Sequence, residues 1–217
     1  MVFFLQVISE MKTMKTISCM NIEKDILYSY GGEDKNFKPG EIIYREGDHA
    51  LYYHQIINGK VKLNNYNDEG KEFIHNIFGE NQSFGDSMMF VEKFYPMNAV
   101  SITSSEIIRL PKNNFLKLLE ENPKYCMAMN ACLAQRLYFK AIMLQSMSSQ
   151  NSMQRLKGLL DYLKSYDSED CSQCFHVELT RQQIANLTGL RVETVIRTLK
   201  KMEKEGQLKI ENRKILY

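Results

Sequence analysis

The sequence predicts an α+β fold in which an antiparallel, jelly-roll-like β-roll comes first, a long helix follows, and a small helical module with a terminal hairpin ends the chain. Short apolar or alternating runs, separated by turn residues, extend from Phe37 to Leu110. Six or more strands at such spacing are typical of an antiparallel sandwich, barrel or jelly roll. After Leu110 the apolar residues recur at helical spacing, which predicts helices for most of the remaining chain.

The β-roll is predicted from six segments, at 41–44, 52–57, 61–66, 72–78, 99–102 and 107–110. Two of the turns between them have the composition of hairpin loops. Asn58-Gly59 favours a two-residue type I′ turn, and the Asp-Glu-Gly sequence ending at Gly70 suits a longer loop with that glycine in the left-handed region. We therefore expect a hairpin at each of these two places.

Four helices are predicted before residue 180, at 21–30, 113–121, 124–149 and 153–164. The third contains neither Gly nor Pro and would be about 38 Å long at 1.5 Å per residue. A narrow apolar stripe follows it at spacings of four, four, four and three residues: Met129, Leu133, Leu137, Ala141 and Leu144. Such a stripe favours pairing with a second copy of the same helix, whereas packing against the protein's own β-domain is the alternative.

Positive charge is concentrated near the C-terminus. Residues 181–214 hold nine Lys or Arg against four Glu, whereas the whole chain has a net charge of only +2. The rest of the chain is therefore mildly acidic. A basic C-terminal part on an acidic body is typical of a nucleic-acid-binding module joined to another domain.

Residues 180–206 have the pattern of a helix-turn-helix. Thr180 and Gln183 are spaced as a capping box at the start of the first helix, Ala185 is small where two helices cross, and Gly189 supplies the turn. Apolar residues at spacings of three, four and three anchor the second helix: Val192, Val195, Leu199 and Met202. The alternating residues 208–216, around an Asn-Arg turn, predict a two-stranded wing.

The polar side chains that remain on the outside of this module suit DNA. Arg197 can donate two hydrogen bonds to O6 and N7 of guanine, and Glu193 can accept one from N4 of cytosine, so these two are the predicted base readers. The residues predicted to contact phosphates, which fix register, are Thr180, Arg181, Arg191, Thr194, Lys201, Arg213 and Lys214. The alternative is an ordinary helical hairpin with Glu193 and Arg197 paired at i, i+4 spacing.

These motifs resemble the CRP/FNR family of bacterial transcription regulators. The matching segments are 179–185 and 189–199 in the helix-turn-helix, with 192–197 closer to the FNR type, and the turns at 37–48, 58–61 and 84–86, which are similar to those of the family's cyclic-nucleotide-type β-roll. The resemblance covers nearly the whole chain from Phe37. It implies a homodimer on a near-palindromic double-stranded DNA site, with Glu193 and Arg197 as base readers. A regulator of this type is also expected to contact RNA polymerase.

With this resemblance the predicted parts can be named in order. They are an N-terminal extension with a short helix at 1–30, a cyclic-nucleotide-binding-like β-roll sensor domain at 31–122, a dimerisation helix at 123–150, and a winged helix-turn-helix DNA-binding domain at 151–217.

The candidate effector pocket departs from the family pattern. Members that respond to cyclic nucleotides carry Phe-Gly-Glu-Leu and, further on, Arg-(Ser/Thr)-Ala, whose Glu binds the ribose and whose Arg neutralises the phosphate. The corresponding residues are Phe84, Gly85, Asp86, Met97 and Asn98. Since Asp86 is a shorter carboxylate and Met97 replaces the Arg, a phosphodiester would lose its charge-assisted partner. Control by cyclic AMP is therefore not expected, and a different ligand in the same concavity stays open.

Other cofactors are not expected either. An iron–sulfur cluster needs about four thiolates, and Cys19 is the only cysteine near the N-terminus. Cys171 and Cys174 form a lone C-x-x-C without further zinc ligands nearby. The four histidines are too scattered to indicate haem: His49, His54, His75 and His176.

Enzymatic activity is not expected, because the sequence shows no Ser/His/Asp arrangement, metal-spaced cluster or phosphate-binding Gly loop. No segment approaches the roughly 20 apolar residues of a membrane span, so a cytoplasmic protein is expected. An alternative function is a β-roll that binds a small molecule and has a helical tail for protein contacts. That alternative predicts that replacing Arg197 leaves DNA binding unchanged.

Overall fold

Two antiparallel four-stranded sheets form the N-terminal half of the protein, as the spacing of the short apolar runs predicts. The computed structural model describes residues 21–148, 151–164 and 175–217. Within these ranges the chain divides into two units, the first ending at residue 134 and the second beginning at residue 135. None of the helices in these ranges combines the length and apolar character that a membrane crossing requires.

The two sheets of the first unit share one apolar core. One sheet has the strand order β1-β8-β3-β6 and the other β2-β7-β4-β5. The strand bounds are Glu33–Phe37 for β1, Ile42–Tyr44 for β2, Tyr52–Asn58 for β3, Val61–Tyr66 for β4, Glu72–Phe78 for β5, Ser83–Phe84 for β6, Asn98–Ser101 for β7 and Ser105–Pro111 for β8. A short 3-10 helix, Asp86–Phe90, follows β6. Buried side chains from both sheets, among them Ile56, Val61 and Ala99, pack together in the core.

The hairpin predicted around Gly70 is present between β4 and β5. Tyr66 pairs with Glu72, and Gly70 has φ of +74°. The Gly70 N–H donates to the Asn67 carbonyl at 2.8 Å, and the Asn67 side chain accepts from the Lys71 N–H at 2.8 Å. Because these contacts are all local, the composition of the loop was enough to predict the hairpin.

The hairpin predicted at Asn58-Gly59 is wrong. β3 pairs with β6 and β8, whereas β4 pairs with β5 and β7, so the chain crosses from one sheet to the other at this corner. Gly59 has φ of +99°, and a Cβ there would lie 2.3 Å from Ser105 Oγ and 2.6 Å from the Ser104 carbonyl oxygen. The glycine therefore permits a close approach of two segments rather than a type I′ turn.

The apolar pattern did not predict β1 and β6. β1 has the polar sequence Glu-Asp-Lys-Asn-Phe, its residues are exposed or half-buried, and it lies at the edge of its sheet against β8. β6 contains only two residues. Neither strand is long or apolar enough to produce an alternating pattern.

Three helices follow the predicted ranges closely: α1 is Lys24–Ser29, α2 is Lys112–Glu121 and α3 is Pro123–Ser148. The segment before α1 is attached to the β-roll by the buried Gln55 of β3. The Gln55 Oε1 accepts from the Ile22 N–H at 3.0 Å and from the Tyr53 hydroxyl at 2.8 Å. Its Nε2 donates to the Asn21 side chain at 2.9 Å and to the Ile22 carbonyl at 2.8 Å. The amide is thus fully hydrogen-bonded, as a buried polar group must be.

The predicted stripe of apolar residues along α3 does not stay on one surface. Met129 is 1% exposed and belongs to the core of the β-roll, and Leu133 packs partly against that core. Leu137 and Leu144, by contrast, are 72% and 69% exposed, and Ala141 is exposed too. The prediction of a seam that includes Met129 and Leu133 is therefore corrected, because these two side chains pack on the core of the β-roll.

After α3, the second unit consists of three helices and a small sheet. Its elements are α4 at Ser152–Lys164, β9 at His176–Val177, α5 at Arg181–Thr188, α6 at Val192–Lys204, β10 at Lys209–Glu211 and β11 at Lys214–Leu216. The sheet order is β10-β11-β9, so β9 adds a third strand to the two-stranded wing. Leu156, Leu160, Val195 and Ile215 are among its fully buried residues. The predicted fold class is confirmed.

Candidate nucleic-acid interface

The first helix of the helix-turn-helix, α5, begins and ends as predicted. The Thr180 hydroxyl accepts from the Gln183 N–H at 3.1 Å, and the Gln183 side chain accepts from the Thr180 N–H at 2.8 Å, which completes a capping box. Gly189 ends α5 with φ of +69°. Ala185 is buried at the crossing. The turn that presents α6 is therefore determined by local residues.

Helix α6 has one buried face and one charged face. Val195, Leu199 and Met202 are fully buried, as predicted, and Val192 is half-buried. Thr198 is also buried, and its hydroxyl lies 3.0 Å from the hydroxyl of Ser152 in α4. These contacts fix the rotation of α6 about its axis, and so they determine which side chains point outward.

The outward face of α6 forms a shallow hollow lined by both predicted base readers. Its lining residues are Glu193, Ile196, Arg197, Lys200, Lys201 and Lys204. Within the described ranges no ion pair joins Glu193 to Arg197, and both side chains are exposed. Lys201 lies 3.9 Å from Glu205, an exposed pair worth well under about 1 kcal/mol. The charged groups are thus exposed and available to contact DNA.

Three residues of this hollow, Ile196, Lys200 and Lys204, were not among the predicted DNA contacts. The two lysines continue the spacing of Glu193 and Arg197 along α6 and could have been found from that spacing. Ile196 was hidden because an apolar residue in a helix is usually counted with the core.

The other predicted phosphate contacts lie around this face. Arg191 precedes α6 and is exposed, whereas Thr194 is half-buried. Thr180 uses its hydroxyl in the capping box, and its hydroxyl proton is left to donate. Arg181 is half-buried, and this burial lowers the pKa of its guanidinium, which stays charged at any physiological pH.

The wing is a β-hairpin with a two-residue turn. Lys209 pairs with Leu216 and Glu211 with Lys214, so Asn212 and Arg213 form the turn, with φ of +48° and +64°. Two successive positive φ values are those of a type I′ turn. Arg213 and Lys214 are both exposed at the tip, as a contact to the DNA backbone requires.

The candidate effector pocket is divided between the two sheets. Phe84 is fully buried and stacks on His54 at 5.2 Å between ring centroids. Asp86 is fully buried and accepts from the Ser83 hydroxyl at 2.6 Å. Met97 packs partly against the core. Asn98, on the other sheet, accepts from the Glu46 N–H at 3.0 Å.

Gly85 lies over a cluster of aromatic rings. It has φ of +69°, and a Cβ there would be 2.7 Å from the Tyr44 hydroxyl. Tyr44 stacks on Tyr95 at 3.6 Å between centroids, and burial raises the pKa of the Tyr95 hydroxyl. His54 lies in the same cluster, and its pKa is lowered to about 3, mainly by burial and to a lesser extent by the positive charge of Arg109. His54 is therefore neutral at physiological pH.

Metal-binding groups are not gathered in the described part of the chain, where no three His, Cys, Asp or Glu side chains cluster. Cys126 and Cys132 both lie in α3, where Cys126 is half-buried and Cys132 is buried. The predictions for Cys19, Cys171 and Cys174 concern residues outside the described ranges.

A β-roll followed by a winged helix-turn-helix with a basic outward face defines a DNA-binding regulator of transcription. Comparison with known families agrees. The cyclic nucleotide-binding domain family matches residues 34–122, and the Crp-like helix-turn-helix domain family matches residues 154–217. The chain belongs to the CRP/FNR family of transcription regulators, and the predicted resemblance is confirmed.

Individual relatives are distant but cover most of the chain. It is 27% identical over 162 residues to the cAMP-activated global transcriptional regulator CRP of Haemophilus influenzae, covering 74% of this chain and 72% of that protein. It is 26% identical over 187 residues to the global nitrogen regulator of a Nostoc species, covering 83% of each. The structure of the c-di-GMP-responsive global regulator CLP of Xanthomonas campestris has the same fold, with a TM-score of 0.70 at 21% identity over 88% of this chain and 95% of that one.

Proposed function

We propose that this transcription regulator acts as a homodimer that reads a near-palindromic DNA site through Glu193 and Arg197, and that cyclic AMP does not control it. The observation that carries the proposal is the outward face of α6. On it an unpaired carboxylate and an unpaired guanidinium lie one turn apart among lysines. These are the groups that discriminate C and G edges in the major groove.

A second set of exposed residues on α3 supports the homodimer. After the correction for Met129, the exposed positions recur at spacings of three, four, three, four and three residues: Met127, Asn130, Ala134, Leu137, Ala141 and Leu144. That is the heptad spacing of a two-stranded coiled coil, with apolar or small residues at all positions except Asn130. A polar residue at one such position favours a single register and oligomeric state.

The dimer is tested by Leu137→Lys, with Leu51→Lys as the matched control. Both leucines are more than half exposed, at 72% and 60%, but Leu51 lies outside α3, between β2 and β3. Light scattering should give a dimer of the 25.4 kDa chain for the wild type and the control, and a monomer for Leu137→Lys. A monomeric wild type, or a Leu137→Lys variant that stays dimeric, would contradict this interface.

DNA reading is tested by selection from a randomised duplex pool with no added ligand. We expect a palindrome whose half-sites contain a G and a C at fixed spacing, with centres about one helical turn apart. Arg197→Ala should weaken binding by about 1–3 kcal/mol and relax preference at one base pair. Lys200→Ala, the control on the same face, should weaken all sequences alike. An Arg197→Ala variant with unchanged DNA affinity would favour the alternative of a tail that binds proteins.

Independence from cyclic AMP follows from the pocket residues. The Asp86 carboxylate is buried and receives the Ser83 hydroxyl, while Met97 occupies the position of the phosphate-binding arginine. A phosphodiester there would lack its charge-assisted partner. Calorimetric titration with cyclic AMP should show no saturable heat, and DNA affinity should not change when it is added. Saturable binding that raises DNA affinity would refute this part of the proposal.

We also propose a cytoplasmic regulator that contacts RNA polymerase, has no enzymatic activity, and has no iron–sulfur cluster, haem or structural metal. The two cysteines in the described ranges support the last point, because Cys132 is buried in α3 and Cys126 is only half-exposed. The test is elemental analysis and the visible spectrum of anaerobically purified protein. Stoichiometric iron, zinc or a Soret band would contradict it.

A further inference from the structure

An apolar side chain is exposed in the middle of the charged face of α6. Ile196 is 41% exposed, whereas its neighbour Val195 is fully buried. In the described part of the second unit beyond residue 150, it is the one large apolar side chain with that degree of exposure. Single exposed apolar residues are common on protein surfaces, so the inference depends on where this one lies.

Ile196 lies among the residues that face DNA. It is three residues after Glu193, one before Arg197 and four before Lys200, and it lines the same hollow as all three. Residues three and four apart are neighbours on a helix surface. A base that receives hydrogen bonds from Glu193 or Arg197 therefore has a neighbour in the stack within reach of the Ile196 side chain.

The chemistry of the major groove leaves one partner for such a side chain. An isoleucine cannot donate or accept a hydrogen bond, so it gains free energy only by burial against another apolar group. Among the four bases, only thymine presents an apolar group in the major groove, its C5-methyl. Phosphates and the donor or acceptor edges of the other bases would instead lose water beside an apolar surface.

We propose that Ile196 reads the methyl group of a thymine in each half-site, next to the base pairs contacted by Glu193 and Arg197. The inference rests on the proposed function, since it requires that this face of α6 enters the major groove. It assigns a third specificity-determining residue, and it predicts a thymine at a fixed position beside the G and C of each half-site.

The test replaces each thymine of the selected site by deoxyuridine, symmetrically in both half-sites, because this removes only the methyl group. At one position the affinity of the wild type should fall about fourfold for each methyl, the factor expected for one buried carbon. The same replacement should not change the affinity of Ile196→Ala. Ile196→Val, which keeps a branched side chain, should retain most of the effect.

Arg197→Ala is the control variant, because it should lose affinity and yet remain sensitive to the deoxyuridine. A selected site at which no deoxyuridine effect depends on residue 196 would overturn the role of Ile196 and leave the proposed function intact. If the wild type enriches no site, the proposed function fails, and this inference fails with it. A methyl effect equal in the wild type and in Ile196→Ala would assign the methyl to another residue and refute the inference.

Discussion

Arg213 occupies the tip of the wing with φ of +64°, beside Asn212 with φ of +48°. Asparagine tolerates the left-handed region, but an arginine there brings its Cβ close to the following carbonyl, at a cost of about 1–2 kcal/mol. Arg213 is exposed, so its side chain gains nothing from burial that would offset the strain. Glycine is the residue that this turn prefers, and Arg213→Gly is therefore an informative change.

Two terms determine the expected change in stability. Glycine removes the strain of about 1–2 kcal/mol, and it makes the unfolded chain more flexible, which costs about 0.4–1 kcal/mol. The second unit should therefore become more stable by about 0.5–1 kcal/mol. The affinity for DNA, in contrast, should fall. The loss of one phosphate contact per protomer should reduce the slope of log K against log salt by about 0.9 for each contact.

Stability is best measured by hydrogen exchange of the amides of α5 and α6, because it reports on the second unit separately from the β-roll. DNA affinity is measured on the selected site at several salt concentrations. Arg213→Lys is the matched control, since it keeps both the positive charge and the left-handed strain. It should have wild-type stability and a wild-type salt slope.

The two halves of this prediction can fail separately. If Arg213→Gly has the same protection from exchange as the wild type, then the turn is not strained by its side chain. If the salt slope does not change, then Arg213 does not contact a phosphate. If Arg213→Gly changes neither the exchange protection of α5 and α6 nor the salt slope, both parts of the reasoning are wrong.

Three further predictions concern the β-roll. Because burial lowers the pKa of His54 to about 3, its contribution to the stability of the β-roll is fully present above pH 6.5 and is lost as the pH falls. Between pH 7.5 and 5 this residue should lower the free energy of unfolding by about 2 kcal/mol. His54→Phe should remove that part of the acid dependence in urea titrations. Gln55→Ala leaves the buried Ile22 N–H and carbonyl without partners and should cost about 1–3 kcal/mol; an unchanged urea midpoint would show that this network contributes nothing. Gly59→Ala should cost about 3 kcal/mol because the added Cβ meets Ser105. Gly70→Ala should cost only about 1 kcal/mol, because a Cβ added there has no neighbour within 4 Å. Equal losses of stability would contradict the close approach at Gly59.

The comparison of Gly59 with Gly70 also shows which parts of the fold could be predicted. Both glycines follow polar turn residues and both have positive φ, so their local sequences predict the same structure. The loop before Gly70 closes through bonds among its own residues. The loop at Gly59 is determined by Ser104 and Ser105, which are more than forty residues away in the sequence. Contacts at such separations leave no local signal.

The same distinction explains the results for the two candidate sites. The capping box, the turn at Gly189 and the spacing of Glu193 and Arg197 all lie within one short segment, so the helix-turn-helix could be predicted from its local sequence. The stripe on α3 has a clear period as well, but a period does not identify the partner. Met129 packs in the core and Leu137 is exposed, although both fit the same four-residue spacing.

Ile196 marks the limit of periodicity as a guide to function. It lies four residues after Val192 and three before Leu199, so spacing alone would place it with the core as readily as Val195. Adjacent residues on a helix point about 100° apart, because there are 3.6 residues per turn. Only one of the pair can therefore face inward, and the buried Thr198 and its contact with Ser152 select Val195. The residue that this rotation turns outward lies beside the two base readers, and for that reason the packing of the second unit bears directly on the sequence that α6 should prefer.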